Sequence, residues 1–228
     1  MRIAKPLQLW WWLVLRELLV ELRVRRAWAA MLVLGLVLVL LVEMQLDLPA
    51  AQKQRVVSIL LWLDVFFAGI LALDRSFTSE CEEGCWRALL LYPVAPTIVF
   101  SAKVAVMVLA LSLLECALLP ALAVFSNMPL LERPLSVALL AALANVGFAS
   151  IAVVAGAVSA SLPHKGSLLA LLILPLTAPV LLGASEATRL LMLGEWNNIG
   201  WRWLQFLAAI AVLFTTLGTL VFAFVVEE

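Results

Sequence analysis

Residues 56–73 read VVSILLWLDVFFAGILAL, an apolar run whose one charged residue is Asp64. A helix needs about 20 apolar residues to cross the hydrocarbon core of a bilayer, which is about 30 Å thick. Because a helix satisfies its own backbone polar groups where no water is near, such a run is typical of a transmembrane helix. The fold class therefore depends on how many runs of this kind the chain contains.

Five further runs have a similar length and composition. In chain order, the six predicted spans are residues 27–42, 56–73, 102–125, 135–160, 167–184 and 204–226. Over the whole chain 65% of the residues are apolar and 13% are charged, which is about half the charged fraction of a soluble domain. We therefore predict an all-α, polytopic membrane protein that forms one transmembrane domain over residues 1–228. This composition excludes a soluble enzyme.

The N-terminal residues 6–26 differ from the spans because tryptophans and charges share one short segment. Three tryptophans at 10–12 are followed by Arg16, Glu17, Glu21, Arg23, Arg25 and Arg26. On a helical wheel the first four of these charges share one arc, and Trp11 lies on the other side with several leucines. This pattern predicts an amphipathic helix that lies in the headgroup region. The alternative, a long first span, would place Arg25 and Arg26 in the membrane at a high cost.

The basic residues indicate the orientation of the spans. With the N-terminus inside, ten of the 15 lysines and arginines lie on the inner side, as the positive-inside rule requires. We therefore expect both termini in the cytoplasm. The formal net charge is zero, which gives no general attraction to nucleic acid.

The longest predicted cytoplasmic segment is residues 74–97, DRSFTSECEEGCWRALLLYPVAPT. It begins with an acidic part, is interrupted by Gly84, and continues as an apolar run that ends at Pro93 and Pro96. Such a segment suits docking to a soluble partner. The residues alone leave a solvated connecting loop equally open.

The fifth predicted span contains Pro175 and Pro179, which remove two backbone donors four residues apart. Prolines at this spacing kink or break a helix, so they predict either a hinge or cavity lining, or a static kink. After this span, residues 186–193 are expected to form a short surface helix. Trp196, Trp201 and Trp203 then form an aromatic belt at the boundary of the last span.

Few residues could carry chemistry. Asp64 is a functional candidate because a carboxylate within a membrane span is costly, and Glu115 is a second acid in the third span. A proton relay through both remains conceivable, whereas Lys103 is expected to extend its side chain to the interface. Cys81, Cys85 and the single His164 do not complete the four ligands of a structural zinc site. No nucleophile–base pair and no nucleotide-binding glycine-rich loop are present, so another chain has to supply any hydrolytic power.

Two blocks of the sequence resemble the haem exporter protein B (CcmB) family. The first is Leu73-Asp74-Arg75-x-Phe77 with its acidic continuation, Gly84 and Pro93, followed by PTIVFSAKV at 96–104. The second is GSLLALLILPLT at 166–177, followed by Pro179. The chain length and six spans agree as well, so the resemblance covers nearly the whole chain. The sequence departs from the family at three positions: Asp74 replaces the common glutamate, Cys85 the usual serine, and Arg87 a common acidic residue.

The resemblance implies an ABC-2-type permease-like membrane subunit of the cytochrome c maturation complex in the bacterial inner membrane. It implies a separate ABC ATPase subunit that binds ATP and Mg, a haem-handling membrane subunit, and a periplasmic haem chaperone that ATP hydrolysis releases. The complex handles haem, and no cofactor is assigned to this chain. Two copies of the chain are expected to pair with two ATPase subunits.

The same resemblance assigns roles to parts of the sequence. Residues 6–26 become an elbow helix at the membrane surface, and residues 74–97 become the segment that couples to the ATPase. The partner-binding residues are then Asp74, Arg75, Glu80, Glu82, Glu83, Gly84, Trp86 and Arg87. Two alternatives stay open: a general ABC-type exporter permease for a lipid or drug, and a proton-coupled secondary transporter that uses Asp64 and Glu115.

Overall fold

A computed structural model describes residues 6–23, 25–45, 49–82, 95–126, 133–160 and 165–227. These residues form seven α-helices and no strand, which confirms the all-α prediction for the described part. The helices are α1 (Pro6–Arg23), α2 (Arg25–Gln45), α3 (Ala50–Glu82), α4 (Pro96–Ser126), α5 (Pro134–Ala160), α6 (Lys165–Met192) and α7 (Asn198–Glu227).

Four helices contain stretches that are long and apolar enough to cross a membrane. They are Gln52–Leu73 in α3, Pro96–Ala121 in α4, Pro134–Val158 in α5 and Asn198–Phe224 in α7. These stretches coincide with the second, third, fourth and sixth predicted spans, so the chain is a multi-pass membrane protein. α2 and α6 cover the first and fifth predicted spans as helices, and their crossing of the membrane stays a prediction.

Several helix ends differ from the predicted boundaries. α4 begins at Pro96, six residues before the predicted span, because proline fits the first position of a helix, where its missing N–H is not needed. α3 continues past its apolar part to Glu82, so the first nine residues of the predicted cytoplasmic segment extend the second span as one helix.

The separate surface helix predicted at residues 186–193 is wrong. α6 runs without interruption to Met192. It ends where Gly194 adopts a left-handed φ of 70°. The Gly194 N–H donates to Leu191 O at 3.1 Å, and the Glu195 N–H donates to Leu190 O at 3.1 Å. This pair of bonds is a Schellman motif, which satisfies the last carbonyls of a helix.

α5 lies at the centre of the bundle and packs against α3, α4, α6 and α7. Its buried face is built from small residues, among them Ala144, Ala149 and Ala152, which let the helix backbones approach closely. Phenylalanine rings fill the space that remains between α5 and α3. Phe148 on α5 packs edge-on against Phe66 on α3, with ring centroids 5.7 Å apart.

α1 packs along α4 rather than standing free of the bundle. Val14 on α1 is buried against Ala102 and Val106 on α4, and the indole of Trp10 donates to Ser101 Oγ at 3.1 Å. The opposite face of α1 exposes Trp12 and other apolar side chains. α1 is therefore a separate helix with one face on the protein and an apolar face turned outward. Its position in the headgroup region stays a prediction.

The close approach of α3 to α5 gives a stability test. A Cβ at Gly69 would lie 2.2 Å from a ring carbon of Phe148, whereas a Cβ at Gly147 meets nothing closer than 3.5 Å. Gly69→Ala should therefore overpack the core by about 1–3 kcal/mol and lower the Tm in detergent by about 3–10 °C. Gly147→Ala is the matched control and should keep or raise the Tm, because alanine is the better helix former. Equal Tm values for both variants would contradict this packing.

Candidate functional site

The predicted ATPase-coupling residues fall into two groups in the structure. Asp74, Arg75, Glu80 and Glu82 belong to the last turns of α3, and their side chains are not among those described. Glu83, Gly84, Trp86 and Arg87 lie outside the described residues. The structure therefore places the start of the segment on a helix and leaves the role of these eight residues a prediction.

Asp64 lies inside the bundle, in the middle of α3. Its side chain is 3% exposed. A Cβ built on Gly35 of α2 would meet Asp64 Oδ2 at 2.5 Å and Leu118 of α4 at 2.8 Å, so the carboxyl group lies where these three helices meet. Neither carboxyl oxygen has a hydrogen-bond partner among the described residues.

Glu115 forms a second buried polar group on α4. Its Oε2 accepts a hydrogen bond of 2.9 Å from Asn145 Nδ2 on α5, and the same amide lies 3.3 Å from Ser112 Oγ. Glu115 Oε1 and Asn145 Oδ1 have no partner among the described residues. Asn145 thus links the second acid of the bundle to the central helix.

A small cavity lies next to Glu115. It is lined by side chains of α3, α4, α5 and α6, including Trp62 and Thr188. Trp62 Nε1 donates to Thr188 Oγ1 at 2.9 Å, and that hydroxyl donates to Ala184 O at 2.8 Å. The cavity measures about 10 Å³, which is near the lower limit for one water molecule. It has no room for a large ligand.

The two prolines of the predicted hinge lie within α6, which stays helical through both. The Thr177 hydroxyl, between them, donates to Ile173 O at 2.9 Å and lies 3.2 Å from Leu174 O. Such back-bonding bends helices. The arrangement suits either a hinge or a static bend, and neither role is tested. α4 contains a further proline, Pro120, which the sequence analysis did not single out.

Lys103 is buried beside α1, with its Nζ 3.5 Å from Glu17 Oε1 and side-chain exposures of 4% and 13%. The extension of this side chain to the interface stays a prediction, as does the interfacial position of α1. On the predicted polar arc of α1, Arg16 is exposed and Glu17 is half-buried, whereas the side chains of Glu21 and Arg23 are not among those described. A buried ammonium needs a nearby anion, and this need turns Glu17 towards α4.

At the far end of α6, Glu186 pairs with Arg189. Arg189 Nε donates to Glu186 Oε2 at 3.0 Å. This hydrogen bond is the main reason why the pKa of Glu186 lies below its usual 4.5, and the charges of Arg189 and Arg55 act in the same direction. The pair holds the last turn of α6 where the chain turns towards α7.

The buried polar groups of the described residues do not form a recognisable catalytic set. In the described part of the chain, no three residues among histidine, cysteine, aspartate and glutamate come close enough to hold a metal ion. Three of the polar groups described above were not predicted as candidates: Asn145, Trp62 and Thr188. An asparagine in the middle of an apolar span is a signal in its own right. The pairing of Trp62 with Thr188 has no such signal, because the two residues are 126 positions apart.

The contact between α1 and α4 can be tested at Glu17. Glu17→Ala removes the carboxylate beside the buried Lys103 ammonium, so it should destabilise the protein by about 1–3 kcal/mol and lower the Tm by about 3–10 °C. Arg16→Ala removes the neighbouring exposed charge and should change the Tm little. A Tm for Glu17→Ala that matches the Arg16→Ala control would refute the buried pair.

The Glu186–Arg189 pair predicts a pH dependence. Because its pKa is lowered in the folded protein, Glu186 contributes stability above pH 4.5, its ordinary pKa, and loses it as the pH falls through the lowered value. The contribution of this partly exposed pair should stay below about 1 kcal/mol. The Tm difference between the unmodified protein and Glu186→Gln should therefore be small and positive at neutral pH and disappear in acid. A Tm difference between the two proteins that persists or grows in acid would contradict a stabilising role for the ionised Glu186.

Comparisons with known proteins place this architecture in a family. Residues 8–228 match the family model described as CcmB protein. Heme exporter protein B of Pseudomonas aeruginosa is 32% identical over 157 residues, covering 68% of this chain and 70% of that protein. Heme exporter protein B of Bradyrhizobium diazoefficiens is 26% identical over 183 residues, covering 80% and 82%. With four apolar helices of membrane-spanning length and a match over nearly its whole length, the chain belongs to the CcmB family.

Proposed function

We propose that this chain is the membrane permease subunit of an ABC-type complex in cytochrome c biogenesis, where it takes part in handling haem. The observation that carries this proposal is the family match over residues 8–228. The two similar proteins are both called Heme exporter protein B. The match extends over nearly all the helices, so the whole bundle and not a single motif supports the proposal.

The energy for transport comes from a separate ATPase subunit in this proposal. The sequence has no glycine-rich phosphate-binding loop and one histidine, so it offers no residues that could cradle a nucleotide. ATP and Mg bind in the partner, and hydrolysis there releases the haem-loaded periplasmic chaperone. A haem-handling membrane subunit lies beside this chain, which is present in two copies.

The extension of α3 supports a coupling role for residues 74–97. α3 has 33 residues, which correspond to about 50 Å of helix, and the hydrocarbon core is only about 30 Å thick. Its apolar stretch ends at Leu73 and the helix continues to Glu82. The acidic residues 74–82 therefore project about 13 Å beyond the apolar stretch, where a soluble partner can reach them.

The membrane arrangement follows the predicted orientation. α1 is the elbow helix, α2 to α7 are the six spans, and both termini lie in the cytoplasm of a bacterial cell, with the spans in its inner membrane. Pro175 and Pro179 give α6 two weakened turns, which suits a hinge in a subunit that changes shape. A general exporter of a lipid or drug remains the alternative, because it would share this architecture and differ in cargo.

Charge reversal in the acidic extension tests the coupling role. The double variant Glu82→Lys and Glu83→Lys should reduce the amount of ATPase that co-purifies with this chain by at least about tenfold. The two lysines would present positive charge to a partner surface that is complementary to negative charge. Gly84→Pro should act in the same direction. Haem-stained c-type cytochromes in membranes should fall in parallel.

Glu195→Lys is the matched control, since Glu195 is exposed beyond the end of α6 and is predicted to lie on the outer side. It should leave both the ATPase and the cytochromes unchanged. Normal cytochrome levels and normal ATPase recovery in the charge-reversed variant, with the protein still folded, would overturn the coupling role. If the charge-reversed variant no longer co-purifies with the ATPase but the c-type cytochromes stay at their normal level, the alternative of a general exporter with a different cargo would be favoured.

A further inference from the structure

Asp64 stands apart from the other buried charges because nothing in the described part of the chain satisfies it. Glu115 has the amide of Asn145, and Lys103 lies beside Glu17. Both oxygens of Asp64 are inaccessible and lack a hydrogen-bond partner among the described residues. An ionised carboxylate in this position would pay a desolvation cost of many kcal/mol with no compensation.

We propose that Asp64 is a proton-binding site sealed by α2. While α2 is packed against α3 and α4, Asp64 is a neutral carboxylic acid. When α2 moves away, water reaches the group, the O–H bond breaks, the proton passes to water and the carboxylate remains. This site extends beyond the proposed function, since it requires neither an ATPase nor haem.

No described cation lies against Asp64 to keep it ionised. α2 has no charged residue between positions 27 and 42, and α5 has none at all. The ionisable groups of α4 are Glu115, the exposed Cys116 and Lys103, which is 12 residues from Glu115 and thus about 18 Å along the helix. On α6, Glu186 and Arg189 pair with each other. The surroundings therefore favour the neutral form.

The surroundings also favour a proton over a metal ion. A hard cation such as Mg²⁺ or Ca²⁺ requires about six oxygen ligands. Neither Asp64 oxygen has a hydrogen-bond partner among the described residues, and the residues placed at this junction, Gly35 and Leu118, have no side-chain oxygen to offer. A proton needs no further ligand, so it fits the site as it stands.

α2 can act as the seal because it lies at the edge of the bundle. Among its described side chains, Met31 and Gly35 are buried and Leu32 and Leu36 pack partly against the core, whereas Val33, Leu34, Val37, Leu40 and Leu41 are exposed. Gly35 is the point of closest approach, since a Cβ there would be 2.5 Å from Asp64 Oδ2. α2 packs mainly against α3 and α4, whereas the central α5 packs against four helices, so α2 can separate at lower cost than α5.

Infrared spectroscopy of the full chain in lipid nanodiscs tests the protonation state. In protein labelled with ¹³C-aspartate, a protonated carboxyl C=O band at neutral pH should shift with the label, and Asp64→Asn should remove it. Glu115→Gln should leave that aspartate band in place. An aspartate signal found only in the carboxylate region would overturn the proposal. Because the isotope experiment uses the unmodified protein, a folding defect in a variant does not affect it.

Hydrogen–deuterium exchange of the same band tests the seal. Transfer to D₂O should shift the Asp64 band slowly in the unmodified protein, because exchange needs α2 to open. Gly35→Ala should crowd the carboxyl group and speed the exchange by about tenfold or more, and Gly147→Ala should not. Equal rates in Gly35→Ala and the unmodified protein would show that α2 is not the seal.

Stability against pH supplies an independent readout. An acid that keeps its proton in the folded protein but releases it on unfolding makes the folded state progressively less stable as the pH rises. Between about pH 5 and about pH 9 the Tm of the unmodified protein should fall relative to that of Asp64→Asn, by about 3–8 °C. Addition of NaCl or KCl should not alter this difference. A difference that stays constant with pH, or that either salt removes, contradicts a proton site.

Discussion

The close packing of helices around α5 is the constraint on which the rest of the structure depends. In a membrane the lipid is as apolar as the side chains, so association of helices relies on van der Waals contact and on hydrogen bonds. Ala144, Ala149 and Ala152 let neighbouring backbones come close, and Phe148 then fits against Phe66 and over Gly69. Every other helix takes its place relative to this centre, directly or through α4.

Polar side chains add specificity to a bundle that apolar contact alone would leave free to slide. The bond from Trp62 to Thr188 fixes α3 against α6, and the contact of Ser150 with Thr215, 2.9 Å apart, fixes α5 against α7. Asn145 and Glu115 do the same for α4 and α5. Because an unsatisfied polar group in hydrocarbon is costly, each pair favours one register of its two helices.

Hydropathy alone predicted the helical fold and the positions of four apolar helices of membrane-spanning length, because a membrane requires a similar length and composition of every crossing helix. Hydropathy did not predict how far the helices extend beyond their apolar stretches. Residues 74–82 were predicted to be separate from the span, and residues 186–193 to form a surface helix. Residues 74–82 and 186–192 instead extend the helices before them. Charge marks the limit of an apolar stretch, whereas a helix ends where its backbone turns, as it does at Gly194. The contact between Lys103 and Glu17 could not be predicted either, because residues that pair between two helices leave no pattern along the sequence.

The continuity of α3 has a mechanical consequence. Asp64 and Glu82 belong to one helix and are 18 residues apart, or about 27 Å along its axis. The chain between them has no proline and one glycine, Gly69, which is wedged against Phe148. A continuous helix resists compression, so a partner that displaced its acidic end would also shift or tilt the part of α3 that holds Asp64. α3 therefore joins the acidic extension to the buried acid as one continuous helix, and its close contact with Phe148 lies between the two.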